Sequence, residues 1–147
     1  MEEIVSAHGE QPLLLCVVRA LQDRRVGFCY WKSSLHLAEA LAGDKDFDLL
    51  VDPARAGEVE AVLAGLGLKP AKGGAELPGE AHWIGLDLLD GRLRHVHVQY
   101  DLYAGRPPVY ELHLPWREHV LAHLVMGPSG VPVPEPELEA ALLLARR

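Results

Sequence analysis

The segment at residues 46–51 reads Asp-Phe-Asp-Leu-Leu-Val, and it limits what this chain can fold into. Its last three residues form a continuous apolar run, which is typical of a β-strand with both faces covered. Side chains two positions apart in a strand point to the same face of the sheet. Asp46 and Asp48 are therefore predicted to project together, while Phe47 and Leu49 project into the opposite layer.

Helical and strand patterns alternate on both sides of this segment. Apolar residues at helical spacing indicate amphipathic helices, and runs of β-branched and aromatic residues indicate strands. Pro53 is well placed for the first turn of a helix. The patterns predict helices over residues 11–23 and 35–41, a helix from Pro53 to Gly65 or Gly67, and strands over residues 26–31 and 46–51.

The second half of the chain alternates polar and apolar residues on either side of Asp90-Gly91. Asp-Gly between two alternating runs is a strong signal for a β-hairpin, here with arms over residues 82–89 and 92–103. The Gly, Pro and Lys content of residues 68–80 predicts a loop with room for one edge strand. The remaining patterns predict a helix over residues 115–126, a proline-rich linker over 127–136 and a helix over 137–147.

These elements predict an α/β fold of the α+β kind, a small mixed β-sheet flanked by helices that cover one side of it. A chain of 147 residues fits one domain, expected over residues 1–126, followed by the linker and the C-terminal helix. Leucines on one side of that helix need a surface to pack on. They would find it on the domain itself, on a second copy of the chain or on another protein, and a homodimer is the preferred hypothesis.

Composition narrows the classes of function. The formal net charge of −7 argues against broad attraction to nucleic acids or anionic membranes. Cys16 and Cys29 lie in apolar runs without the spacing of a disulfide framework or a zinc site, so we expect buried thiols in a reducing compartment. The start of the chain lacks the basic region of a secretory signal, and the apolar run at residues 13–18 is too short to span a bilayer. A cytoplasmic location is expected, and no association with a membrane.

Two carboxylates aimed the same way crowd negative charge, and a cation between them relieves the repulsion. Oxygen ligands of this kind favour Mg²⁺ or Mn²⁺. A calcium-binding EF-hand loop that begins at Asp44 is excluded, because it needs Gly and Glu where the chain has Leu49 and Arg55. The simpler alternative is that acids at the start of a strand are only solvated or cap the preceding loop.

The surroundings of the Asp-Phe-Asp motif resemble the nucleotidyltransferase superfamily, which has the DNA polymerase β-like fold. The matching features are a first strand at residues 26–31, the turn Lys32-Ser33-Ser34, a short helix and then Asp46-Phe47-Asp48. Together with residues 95–115, they look like bacterial nucleotidyltransferase-like proteins. The resemblance covers about residues 10–125.

The resemblance implies a minimal nucleotidyltransferase fold and a Mg²⁺-dependent reaction. In that reaction a nucleoside monophosphate passes from a nucleoside triphosphate to an acceptor hydroxyl, and pyrophosphate is released. Asp46 and Asp48 would hold the metal ions, while Lys32, Ser33 and Ser34 would bind phosphate. Because Ser33 stands where the superfamily has glycine, the alternative is a catalytically degenerate fold that serves as a binding or regulatory module, such as an antitoxin.

The superfamily also has a third carboxylate on a neighbouring strand. Along the second arm of the hairpin one face carries His95, His97, Gln99 and Asp101, and the first arm adds Asp87. We take His97 as the third candidate catalytic residue and keep Asp87, His97, Gln99 and Asp101 open as the third metal ligand. The histidines at i and i+2 could instead ligate a transition metal.

Overall fold

The computed structural model describes residues 10–72, 79–105 and 112–146. Within these ranges five strands form one sheet in the order β1-β2-β5-β4-β3. Strand β2 runs parallel to β5, and the other neighbouring pairs are antiparallel. The predicted mixed α/β fold is therefore confirmed. The strands of this sheet are β1 (Phe28–Tyr30), β2 (Phe47–Val51), β3 (Lys69–Ala71), β4 (Glu80–Asp87) and β5 (Arg92–Gln99).

The three helices predicted in the first half of the chain are present. Short 3-10 turns at Ser34–His36 and Pro53–Arg55 lead into the second and third of them. Pro53 begins its turn as predicted, and the Asp52 carboxylate accepts a hydrogen bond from the backbone N–H of Ala54 at 2.9 Å. The helices in the described ranges are α1 (Leu13–Asp23), α2 (Leu37–Leu41), α3 (Ala56–Gly65), α4 (Arg117–Ala122) and α5 (Pro136–Ala145). In these ranges, no helix combines the length and the apolar character needed to cross a membrane.

The predicted hairpin forms between β4 and β5, but its connection is longer than a two-residue turn. Asp87 and Arg92 are the last partners, so residues 88–91 link the strands. Gly91 has a φ of +68°, which favours glycine, and its N–H donates to the Asp87 carbonyl at 2.8 Å. The loop length sets the register, and it places His82 opposite His97.

Two predictions for the second half, the length of the hairpin's second arm and the helix over residues 115–126, are wrong. The second arm of the hairpin ends at Gln99, because the chain then enters a separate two-stranded sheet. The helix predicted over residues 115–126 is confined to α4, and a strand follows it. The short strands of this half are β6 (Leu102–Ala104), paired with β7 (Leu112–Leu114), and β8 (Leu124–Met126), paired with β9 (Pro132–Pro134).

The proline-rich segment 127–136 does not behave as a linker. It contains β9, and both Val131 and Val133 are buried in the same apolar cluster as the first helix. The prolines are tolerated because β9 pairs only with β8 within its own two-stranded sheet. Through Val131 and Val133 the segment therefore contributes to the packed core.

Apolar residues cover both faces of β1 and β2. Phe28, Tyr30 and Leu49 point into the main cluster, which α1, α2 and α3 cover. Cys29 and Leu50 alternate with them and point the other way, into a second cluster. That second cluster also contains Trp31, Leu102, Ala104, Leu114, Val120 of α4 and Leu142 of α5. Helices therefore flank both faces of the sheet, and the expectation of one covered side is wrong.

Candidate functional site

A cleft of about 670 Å³ opens where β1 ends and β2 begins. Lys32, Ser33, Asp46 and Asp48, all singled out from the sequence, line it. They come from the turn after β1 and from the start of β2, which meet because these two strands are antiparallel. The other lining residues are Tyr30, Leu35, His36, Lys45, Leu143 and Arg146.

The two carboxylates of the Asp-Phe-Asp motif lie on one face of the sheet, each against a histidine of β5. Asp48 is buried and pairs with His97 across the parallel strands. Its Oδ1 lies 3.0 Å from His97 Nδ1. Asp46 precedes β2, and its Oδ1 lies 2.9 Å from His95 Nδ1. Because the Asp46 side chain is 52% exposed, it stands at the mouth of the cleft.

The turn after β1 places its polar groups in two directions. Lys32 Nζ lies 3.2 Å from Asp48 Oδ1, and the buried Ser33 faces the cleft without capping the following 3-10 turn. Ser34 turns to α5 instead, where Glu139 Oε1 accepts from its backbone N–H at 2.6 Å and from its hydroxyl at 2.9 Å. Of the two serines assigned to phosphate, Ser33 lines the cleft, while Ser34 binds a carboxylate of the protein itself.

Arg146, Lys45 and His36 add basic groups to the cleft that the sequence did not single out. Arg146 follows α5, and its guanidinium carbon lies 5.2 Å from the centre of the Trp31 ring, a cation–π distance. Its Nη1 is buried and has no hydrogen-bond partner among the described residues. No local sequence motif identifies Arg146 as a cleft residue, because α5 reaches the cleft only through tertiary packing.

Tyr30 also lines the cleft. Burial raises the pKa of its hydroxyl to about 12, and the nearby Asp48 carboxylate acts in the same direction. At neutral pH the Tyr30 phenol is therefore neutral. The acidic side chains beside it in the cleft are Asp46 and Asp48, and the lysine and arginine side chains are Lys32, Lys45 and Arg146.

Only one of the four candidates for the third metal ligand borders Asp48. His97 is its direct neighbour, whereas Gln99 lies two residues further along β5, opposite Leu50. Asp101 binds His113 at 2.8 Å, outside the cleft. Asp87 projects from the opposite face of the sheet, where it contacts α1.

A chain of close contacts runs from the Asp-Phe-Asp motif to β4, on the face of the sheet that carries Asp48. His95 Nε2 lies 2.9 Å from His82 Nδ1, and His82 Nε2 lies 2.7 Å from Glu80 Oε1. The same carboxylate oxygen lies 2.8 Å from His97 Nε2. Sequence reasoning missed Glu80 and His82, although their alternation with Ala81 and Trp83 is the pattern of a strand with one polar face.

Comparison of the chain with known protein families, curated protein sequences and solved structures finds no match. The nucleotidyltransferase resemblance therefore stays a prediction from the residues.

Proposed function

We propose that the cleft binds a nucleoside triphosphate with Mg²⁺ and that the protein transfers the nucleoside monophosphate to an acceptor hydroxyl, releasing pyrophosphate. The observation that carries this proposal is the convergence of Lys32, Ser33, Asp46 and Asp48 on one cleft. The sequence alone predicts metal and phosphate roles for the two acids and the turn, without reference to their proximity.

The charges of the cleft suit a ligand that is anionic and bound with a divalent cation. Three cationic side chains, Lys32, Lys45 and Arg146, line it in a protein of net charge −7. Lys32 pairs with Asp48 and Lys45 with Glu39, each at 3.2 Å, so the charge that Arg146 adds is the one that favours an anionic ligand. A phosphate oxygen would also satisfy the buried Nη1 of Arg146, which otherwise lacks a partner among the described residues.

The carboxylates of the motif fit a Mg²⁺ ion. The contacts of Asp48 with Lys32 and His97 both fall on Oδ1, and the contact of Asp46 with His95 falls on its own Oδ1. The second oxygen of each acid is the one we assign to metal. A bound Mg²⁺ would neutralise the charge that develops on the attacking and leaving oxygens. Lys32, Lys45 and Arg146 would orient the phosphates.

A binding or regulatory module without catalysis is the second candidate. It is favoured by His97, which stands beside Asp48 where the superfamily has an acid, and by the Lys32–Asp48 ion pair at 3.2 Å. In this case the cleft would bind a triphosphate and release it unchanged.

Thermal unfolding with ATP, GTP, CTP or UTP and MgCl₂ tests binding. A ligand at about 100 times its dissociation constant adds about 2.7 kcal/mol to the free energy of unfolding, which raises Tm by roughly 5–10 °C. Asp46→Asn should remove most of this rise. The matched control is Asp44→Asn, which changes an equally exposed acid that pairs with Arg92 outside the cleft. The rise in Tm of Asp44→Asn with triphosphate should equal that of the wild type.

The proposal would be contradicted if no triphosphate raised the Tm of the wild type. It would also be contradicted if Asp46→Asn and Asp44→Asn lost the same share of that rise. Where binding is found, pyrophosphate release in the presence of hydroxyl compounds separates the two candidates. Transfer predicts pyrophosphate that depends on Asp46, whereas a binding module returns the triphosphate intact.

A further inference from the structure

We propose that Glu80, His82 and His97 bind one divalent transition-metal ion, for which Zn²⁺ is the best match. One ligand atom from each of these side chains lies within 4.8 Å of the other two. The site is distinct from the Asp46 and Asp48 pair and does not rest on the proposed nucleotide chemistry.

The hairpin register brings the three ligands together. His82 and His97 are direct partners across β4 and β5, and Glu80 lies two residues before His82 on the same face. The two imidazole rings stack with their centres 4.2 Å apart and an angle of 15° between their planes. All three ligands therefore come from a hydrogen-bonded sheet, which holds their backbone positions more precisely than loops would.

The donor atoms already lie close to the geometry of a metal site. Glu80 Oε1 is 2.7 Å from His82 Nε2 and 2.8 Å from His97 Nε2. Ligands about 2.0–2.1 Å from a tetrahedral Zn²⁺ are roughly 3.3 Å apart, so a small rotation of the Glu80 side chain makes room for the ion.

The His97 ring supplies an independent observation. Its Nε2 is buried, and its contact with Glu80 lacks hydrogen-bond geometry, so this nitrogen has no hydrogen-bond partner among the described residues. Buried polar atoms without a partner are rare in folded proteins. A metal ion between the two side chains would satisfy it.

The outer contacts match those of metal-binding histidines, which usually donate their second ring N–H to a carboxylate or another acceptor. His97 Nδ1 faces Asp48 Oδ1 at 3.0 Å. His82 Nδ1 faces His95 Nε2 at 2.9 Å, and His95 Nδ1 faces Asp46 Oδ1 at 2.9 Å. With the protons on Nδ1, the Nε2 atoms of both ligating rings are free to bind the metal.

The ligand set selects the kind of metal. Two imidazoles and one carboxylate suit Zn²⁺, whereas Mg²⁺ and Ca²⁺ prefer oxygen ligands alone. Three protein ligands leave a fourth position of a tetrahedral ion for water. The side chain of His82 is 21% exposed, compared with 12% for His97, so solvent reaches this position from the β4 side.

Zinc titration of the metal-free protein, prepared without a histidine tag and followed by calorimetry, tests the site. We expect about one Zn²⁺ per chain, with no competition from millimolar Mg²⁺. Affinity should fall roughly 100-fold in His82→Ala and in Glu80→Gln, and about 10-fold in Asp48→Asn, which removes an outer contact. Far-UV circular dichroism identifies any variant that fails to fold. If His82→Ala is unfolded, the zinc affinity of the near-isosteric Glu80→Gln decides whether the site exists.

The matched control is the double variant His119→Ala/His123→Ala. These residues form another close histidine pair, with ring centres 4.3 Å apart, and they lie in and directly after α4. Their removal should leave zinc affinity unchanged. The proposal is overturned if the wild type shows no saturable zinc binding, or if the control variant loses as much affinity as Glu80→Gln.

Discussion

Asp87 has a structural role rather than the metal-binding role considered from the sequence. Its carboxylate lies 3.3 Å from Arg94 Nη2, and both side chains are almost fully buried. It also accepts a hydrogen bond at 3.0 Å from the backbone N–H of Leu13, the first residue of α1. One buried carboxylate thus joins the hairpin to the start of a helix, and it shares the neutralisation of the Arg94 guanidinium with Asp90, whose Oδ2 lies 2.7 Å from the same Nη2.

We expect Asp87→Ala to lower the free energy of unfolding by about 2–3 kcal/mol, because it leaves the Leu13 N–H without its acceptor and the buried Arg94 guanidinium with Asp90 as its remaining carboxylate. Urea denaturation measures the loss. The control is Asp44→Ala, which removes one side of the solvent-exposed Asp44–Arg92 pair and should change stability very little. Similar losses in the two variants would contradict the structural role of Asp87.

At the scale of elements, α5 packs back onto the domain, which is one of the three arrangements that its leucines allowed. Leu142 is fully buried in the second cluster, Glu139 binds Ser34, and Arg146 lies over Trp31. This packing also forms one wall of the cleft, to which Leu143 and Arg146 contribute.

Leu142→Ala should therefore destabilise the monomeric fold by about 2–5 kcal/mol, the usual loss for a buried leucine. Leu144→Ala is the matched control, since its side chain belongs to the same helix and is 66% exposed. Urea denaturation at several protein concentrations provides the measurement. A loss that appears only at concentrations that support a dimer would show that Leu142 packs against a second copy.

Local patterns predicted elements whose signals lie within one segment. The spacing of Leu14, Val17 and Leu21 gave α1, and Pro53 marked the start of the third helical segment. Strand β8 was not predicted because Leu124, Val125 and Met126 continue an apparently helical apolar pattern. Strand β9 was not predicted because two of its three residues are prolines, which are unusual in strands. Their pairing depends on contacts with the core.

The candidate site was only partly predictable for a related reason. Asp46 and Asp48 were predicted from their alternation at the start of a strand, and Lys32 from the resemblance of the turn that follows β1. The metal-site residue His82 was missed because its partner depends on loop length. A turn of Asp90-Gly91 alone would place His82 opposite Gln99, whereas the longer connection places it opposite His97.

At the scale of the whole molecule, the two apolar clusters share the same strands. Successive residues of β1 and β2 point alternately into the main cluster and the second cluster. Neither cluster can lose its packing without exposing one face of this common pair of strands. The chain should then unfold as one cooperative unit, although the sequence suggested a domain, a linker and a separate C-terminal helix.

Tryptophan fluorescence can test this cooperativity because Trp83 belongs to the main cluster and Trp31 to the second. In a Trp116→Phe background, Trp31→Phe and Trp83→Phe each leave one reporter. For each variant we expect the urea transition of the reporter to coincide with that of far-UV circular dichroism. If the Trp31 signal changed at lower urea than the dichroism, the second cluster and α5 would form an independent unit. In that case the cleft, whose walls come from β2 and α5, would open before the sheet unfolds.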